Sequence, residues 1–199
     1  MRSRKTSHFT RTSRALAAVA LLFFLRPALA QQVDRLPLCA ACHGPQGISS
    51  TPVIPSLAGQ PQVFLENQLV LIREGLRTIP EMRGLLDGAS DAELTVLAKH
   101  FEALPPPTAA TSPVDTARFE RGKDIAHKAL CGTCHTPSYS GREQIPRLAG
   151  QQEFFLIYAM RQFRDHAGLG RDTIMSASLY GISDDQLADL AHFFAHFNP

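Results

Sequence analysis

The first 30 residues contain no aspartate and no glutamate. The whole chain of 199 residues has 20 Lys+Arg against 18 Asp+Glu, a formal charge of +2. Six of those basic residues (Arg2, Arg4, Lys5, Arg11, Arg14 and Arg26) fall in the acid-free stretch. The basic excess is therefore confined to one end and gives no support to a nucleic-acid partner. Long apolar runs are also scarce. Ala15 to Leu25 spans 11 residues, which rise about 16 Å as a helix, too short for a hydrocarbon core of ~30 Å. Nothing later in the chain is comparable, so any membrane association is expected to be peripheral at most. Cysteine and methionine are limited to 4 each, few enough that every one can be placed. With 44% apolar residues the chain is neither a disordered tail nor collagen-like.

Residues 1–30 have the order of a secretory signal peptide. A basic, Ser/Thr-rich start leads into the apolar run, and Ala28-Leu29-Ala30 supplies an A-x-A cleavage site. No adjacent arginine pair is present, which favours the general secretory route over the twin-arginine one. Cleavage after Ala30 would leave 169 residues with 14 basic and 18 acidic side chains, a charge of −4. An exported compartment permits disulfides, so the cysteine spacing decides the next step.

All four cysteines sit in two copies of one motif, Cys39-Ala40-Ala41-Cys42-His43 and Cys131-Gly132-Thr133-Cys134-His135. C-x-x-C-H reads as covalent attachment of c-type haem. Two thiols one helical turn apart add across the two porphyrin vinyl groups, and the adjacent His reaches the iron from the same side. A zinc site would need both Cys pairs to converge across 88 intervening residues. A thioredoxin-like redox pair would need a βαβ setting, and no strand-like alternation flanks either motif. Two haem motifs with no cysteine left over predict two haem c groups.

The surrounding chain repeats as well. Pro55-Ser56-Leu57-Ala58-Gly59-Gln60 follows the first motif, and Pro146-Arg147-Leu148-Ala149-Gly150-Gln151 follows the second. Each leads into an apolar helical stretch, Val63–Ile72 or Phe154–Phe163, and then to Met82 or Met175. Eight residues beyond each methionine, Ser90-Asp91-Ala92-Glu93 and Ser183-Asp184-Asp185-Gln186 have capping-box form. Each opens an amphipathic helix ending near Leu104 or Phe197. Pro105 to Pro113 reads as a semi-extended linker. The expected organisation is a signal peptide at 1–30, a first domain at 31–104, a linker at 105–113 and a second domain at 114–199. Each domain is small enough to need its porphyrin as core. Only Gln31 to Leu38 precede the first motif and Pro37 interrupts them, so the first helix is expected to be short or irregular, whereas Thr116–Ala129 should form a helix before the second motif.

His43 and His135 are the proximal iron ligands by motif. For the distal side, Met1 leaves with the leader and Met160 aligns with Leu69 inside a packed helix. Met82 and Met175 remain, each 39–40 residues beyond its His. A thioether is a soft ligand that favours reduced iron. The competing candidates are His100, His192 and His196, late in the capped helices and expected to be solvated there, and the unrepeated His127 and His166.

These residues together resemble the class I cytochromes c, specifically the dihaem cytochrome c4 family, over nearly all of the expected mature chain. The resemblance implies an all-α fold of two tandem class I cytochrome c domains related by pseudo-twofold symmetry. It implies that Pro55 and Pro146 offer carbonyls to the ligand histidines, and that Arg77 and Arg171 lie near haem propionates. It also implies a periplasmic carrier of single electrons, fed by a membrane-bound donor such as a bc-type complex and discharging towards a terminal oxidase. No nucleophile-and-base group is evident, so the chain is not expected to be an enzyme. The alternatives are a dihaem subunit of a flavocytochrome-type dehydrogenase, for example in sulfide oxidation, and a haem enzyme with an exchangeable ligand. The charge divides as −3 over 31–104 and −1 over 114–199, which suggests that the two domains present different surfaces to different partners.

Overall fold

Ser90, Asp115, Asp172 and Ser183 each cap the start of a helix through their side chains. The computed structural model describes residues 35–166 and 171–199, and the expected signal peptide lies outside them. The helices are α1 (Leu36–His43), α2 (Gln62–Arg73), α3 (Asp91–Ala103), α4 (Thr116–Lys128), α5 (Cys131–His135), α6 (Glu153–Asp165), α7 (Thr173–Ser178) and α8 (Asp184–His196). A short 3-10 turn covers Pro80–Met82. The only β pairing among the described residues is an isolated bridge between Arg142 and Ile145. No helix among them is long and apolar enough to cross a membrane.

Both capping boxes form. The Ser90 and Ser183 side chains accept from the backbone N–H of Glu93 and Gln186, whose side chains return a bond to the cap backbone. These reciprocal bonds satisfy the open donors of the first turn of α3 and α8. Asp115 caps α4 through the N–H of Arg118. Pro37 does not break α1. It stands in the first turn, where no intrahelical N–H is needed, and so helps to open the helix.

The repeat extends to the ties between helices. Arg73 at the end of α2 donates to the Ala89 carbonyl and pairs with Asp91 at 2.8 Å. Arg164 near the end of α6 donates to the Ile182 carbonyl and pairs with Asp184 at 2.7 Å. Buried residues of the first half form two small clusters around Leu94, Leu97, Ala98 and Phe101. The second half has one larger cluster built on Leu156, Met160, Leu187, Leu190, Phe193 and Phe194. Met160 is buried there, as its alignment with Leu69 predicts.

The halves differ in how their last helix is covered. α8 buries nine residues and α3 buries four. α4 crosses α8 at Gly122, where an added Cβ would meet the Asp189 carbonyl oxygen at 2.1 Å. Phe119 meets Phe193 edge-on at 5.1 Å beside that crossing. His192 and His196 are consequently buried rather than solvated. His192 Nδ1 lies 2.9 Å from Glu153 Oε2, and its Nε2 accepts from the Asp115 N–H. His196 Nδ1 donates to the His192 carbonyl, and its ring faces Ser112 at 3.0 Å. Their partners come from α6 and from the segment before α4, so position on α8 alone gave the wrong environment. His100, His127 and His166 are exposed.

Residues 105–113 contain no helix and lie against both repeats. A Cβ on Gly59 would sit 2.5 Å from Pro106 Cβ, and one on Gly150 would sit 2.6 Å from the Pro107 oxygen. Both glycines have φ near +70°, so each repeat needs glycine there for backbone conformation and for close approach.

Candidate haem-binding sites

Each C-x-x-C-H motif occupies one turn of helix or little more. Cys39 and Cys42 lie on α1, and Cys131 and Cys134 on α5. None of the four forms a disulfide. Cys39 and Cys131 are half-buried against the apolar clusters of their own halves, and Cys42 and Cys134 are exposed. Burial pushes the Cys39 and Cys131 thiols above their ordinary pKa. In the first half the motif closes α1. In the second, Leu130 adopts a left-handed conformation (φ 56°) and separates α4 from α5.

Both motif histidines are buried and oriented identically. His43 Nδ1 donates to the Pro55 carbonyl at 2.8 Å, and His135 Nδ1 donates to the Pro146 carbonyl at 2.8 Å. A carbonyl can only accept, so the proton sits on Nδ1 and the Nε2 lone pair faces away. Burial lowers both imidazole pKa values, and the bond to the proline carbonyl partly opposes it. A neutral imidazole with a fixed tautomer is the form that ligates a metal.

The methionines stand on the opposite side of the repeat pattern. Met82 ends the 3-10 turn and packs with the cluster of Leu86 and Leu97. It lines a cavity of about 250 Å³ together with Ile72, Ile79 and Leu86. Met175 lies on α7, whose cap Asp172 accepts from the Met175 N–H, and packs against the second cluster. The donor set of paired thiols, neutral imidazole and thioether fits haem c, and the cavity beside Met82 is lined by Arg73, Arg77, Arg83 and Asp87 as well as by apolar side chains.

Known proteins resemble this chain in sequence and in fold. The family described as Cytochrome c matches residues 119–197. The cytochrome c4 of Azotobacter vinelandii is 31% identical over 173 residues, spanning 78% of this chain and 82% of that one. The chain belongs to the cytochrome c4 family. The crystal structure of reduced recombinant cytochrome c4 from Pseudomonas stutzeri superposes with a TM-score of 0.76 at 28% identity, covering 82% of this chain and 95% of that one. A protein named thiosulfate dehydrogenase electron acceptor, from Thiomonas intermedia, is 28% identical over 192 residues, 91% of this chain and 88% of that one. The cytochrome is thus an electron-transfer protein rather than an enzyme, with covalently bound haem c as its cofactor, two per chain. Its fold is that of the class I cytochromes c, and it works with redox partners.

Arg77 and Arg171, singled out from the resemblance, are both half-buried. Arg77 donates to Gln68 Oε1. Arg171 donates to Gln162 Oε1 at 3.2 Å and lies over the Phe163 ring at 5.3 Å. Burial lowers the pKa of each, and the charge of Arg171 adds to the lowering at Arg77.

Three features of this cytochrome are not evident from its sequence pattern. Arg147 is buried, bonds its own Nε to the Ala149 carbonyl at 2.9 Å, and has its pKa lowered by burial. Ser56 holds the same position in the first repeat, and that mismatch was the available signal. Tyr139 takes φ 51°, its carbonyl accepts from Leu148 and Ala149, and its ring meets Phe193, Phe194 and Phe197. Gly47 has the equivalent backbone role in the first half. Finally, Gln60 and Gln151, noted above only as repeat markers, are buried between the halves.

Proposed function

We propose that His43 with Met82, and His135 with Met175, are the axial ligand pairs of the two haem irons. Cys39 and Cys42 hold the first porphyrin by thioether bonds, and Cys131 and Cys134 hold the second. The observation that carries this reading is the repeated imidazole geometry, with the Nδ1 proton given to Pro55 or Pro146 so that Nε2 carries the lone pair. When bound, haem supplies a one-electron ferric/ferrous couple. The proline carbonyls fix ring orientation and increase imidazole basicity. Met82 and Met175 would supply the thioether donors to the two irons. Arg77 and Arg171 counter propionate charge.

The domains of this reading are 31–104 and 114–199, joined by 105–113, with 1–30 removed on export to the periplasm. There the cytochrome passes single electrons from a membrane-bound donor such as a bc-type complex towards a terminal oxidase. A second reading is service as the electron acceptor of a dehydrogenase. The likeness to the thiosulfate dehydrogenase electron acceptor favours it.

Replacing Met175 or Met82 with Ala tests the ligation. Each change is expected to remove one of two sulfur–iron charge-transfer bands and to lower the potential of that haem alone. A band and potential unchanged by either replacement would refute the assignment. Stopped-flow reduction by a thiosulfate dehydrogenase, compared with oxidation by a haem–copper oxidase, separates the two partner readings.

A further inference from the structure

Gln60 and Gln151 each reach across to the other half and bond both backbone groups of one residue there. Gln151 Oε1 accepts from the Ser56 N–H at 2.8 Å, and Gln151 Nε2 donates to the Ser56 carbonyl at 2.9 Å. Gln60 Oε1 accepts from the Arg147 N–H at 2.9 Å, and Gln60 Nε2 donates to the Arg147 carbonyl at 3.0 Å. All four residues are buried.

The N–H of Ser56 and the carbonyl of Pro55 belong to one planar amide. The same holds for Arg147 N–H and the Pro146 carbonyl. Those two carbonyls accept from His43 and His135. Each glutamine therefore holds, through its Oε1, the peptide that orients the imidazole of the opposite half, while its Nε2 anchors the next peptide along. The grip acts in two ways. It fixes the plane of the amide, and so the direction of its carbonyl. It also polarises that amide, because an N–H bonded to an acceptor leaves its carbonyl more negative, and bonds in such chains reinforce one another in a dry interior.

We propose that Gln60 and Gln151 are crossed positioning residues, each setting the reduction potential of the haem in the other half through a relay of glutamine, peptide and imidazole. This rests on the reading of His43 and His135 as iron ligands. A more negative proline carbonyl draws the Nδ1 proton and makes the imidazole a stronger donor. A stronger donor favours ferric iron and lowers the potential. Loss of Gln151 should therefore raise the potential at the His43 haem, and loss of Gln60 should raise it at the His135 haem. A glutamine that merely joined the halves would show no such crossing.

The test uses the full holoprotein with both haems attached. Gln151→Leu keeps bulk but removes both bonds. Gln151→Glu keeps an oxygen acceptor for the Ser56 N–H in either protonation state. Gln60→Leu and Gln60→Glu form the mirror pair. The potentials of the two haems are resolved by redox titration, and the Nδ1–H resonance of each ligand imidazole is followed by proton NMR. The expected result is an upward potential shift and a displaced Nδ1–H signal in the opposite half only for each Leu variant. Each Glu variant should hold the potential at or below the wild-type value, and it keeps the test available where Leu prevents folding. Shifts confined to the glutamine's own half, equal shifts in both halves, or none would overturn the proposal. Failure of the ligand reading would appear separately, as an unchanged sulfur–iron band in Met175→Ala.

Discussion

Gly122→Ala sets two ordinary effects against each other, and the crossing of α4 and α8 decides the sign. Alanine is the better helix former by about 1 kcal/mol, so local propensity alone predicts a gain. The new Cβ, however, would lie 2.1 Å from the Asp189 carbonyl oxygen and 2.7 Å from Phe193 Cβ. An ordinary carbon–oxygen contact is about 3.3 Å, so the helices must part by roughly 1.2 Å at this point. The nearest atoms are backbone and a packed Cβ, which cannot rotate away. Parting would also pull Arg121 from Asp189, now 2.6 Å apart. Overpacking of a tight contact costs about 1–3 kcal/mol, and the upper end applies where backbone must move. The expected balance is a loss of about 2 kcal/mol, or a fall of roughly 4–8 °C in Tm for a chain of this size. Thermal and guanidinium unfolding of the holoprotein would measure it. Gly181→Ala serves as reference, since no atom lies within 4 Å of its Cβ position and only its φ of +77° resists substitution. A Tm for Gly122→Ala equal to or above wild type would refute the tight crossing.

Ser90→Ala and Ser183→Ala each remove a capping box and should cost about 1 kcal/mol in urea unfolding. An effect at only one site would mean that the repeat is not equivalent in energy. Hydrogen bonds from Arg164, then Arg161, hold the Asp184 carboxyl below its usual pKa. Its contribution to stability is thus present above the unfolded value of about 3.9 and is lost as pH falls through the folded one. The acid limbs of wild type and Asp184→Asn should converge below about pH 4. Parallel curves would show that the carboxylate does not contribute.

Legibility in the sequence followed the range of the interaction. Haem motifs, capping boxes and the α2 and α6 stripes are local patterns, and they appear where periodicity and spacing put them. Pro37 correctly signalled a short first helix, but whether a proline breaks a helix or opens it depends on where the helix starts, and the start at Leu36 was not legible. His192 and His196 were misjudged because Glu153, Ser112 and Asp115 come from outside their helix. The duplication showed that two segments are alike, but likeness does not reveal that Gln60 pairs with Arg147 and Gln151 with Ser56. The strap over Gly59 and Gly150 was equally hidden, since a proline-rich stretch reads the same whether it is docked or free.

The reciprocal glutamine grip has a consequence for how such a chain arises. Each half carries a glutamine and also the peptide that the other half's glutamine reads. A body with both parts of a contact is complementary to its own copy, which is the requirement for a symmetric two-fold dimer. One repeat alone therefore contains the elements of self-association. Joining two copies end to end makes that association independent of concentration, so the two electron sites remain together at any dilution. The copies are then free to diverge, as Ser56 and Arg147 have, without losing their partner.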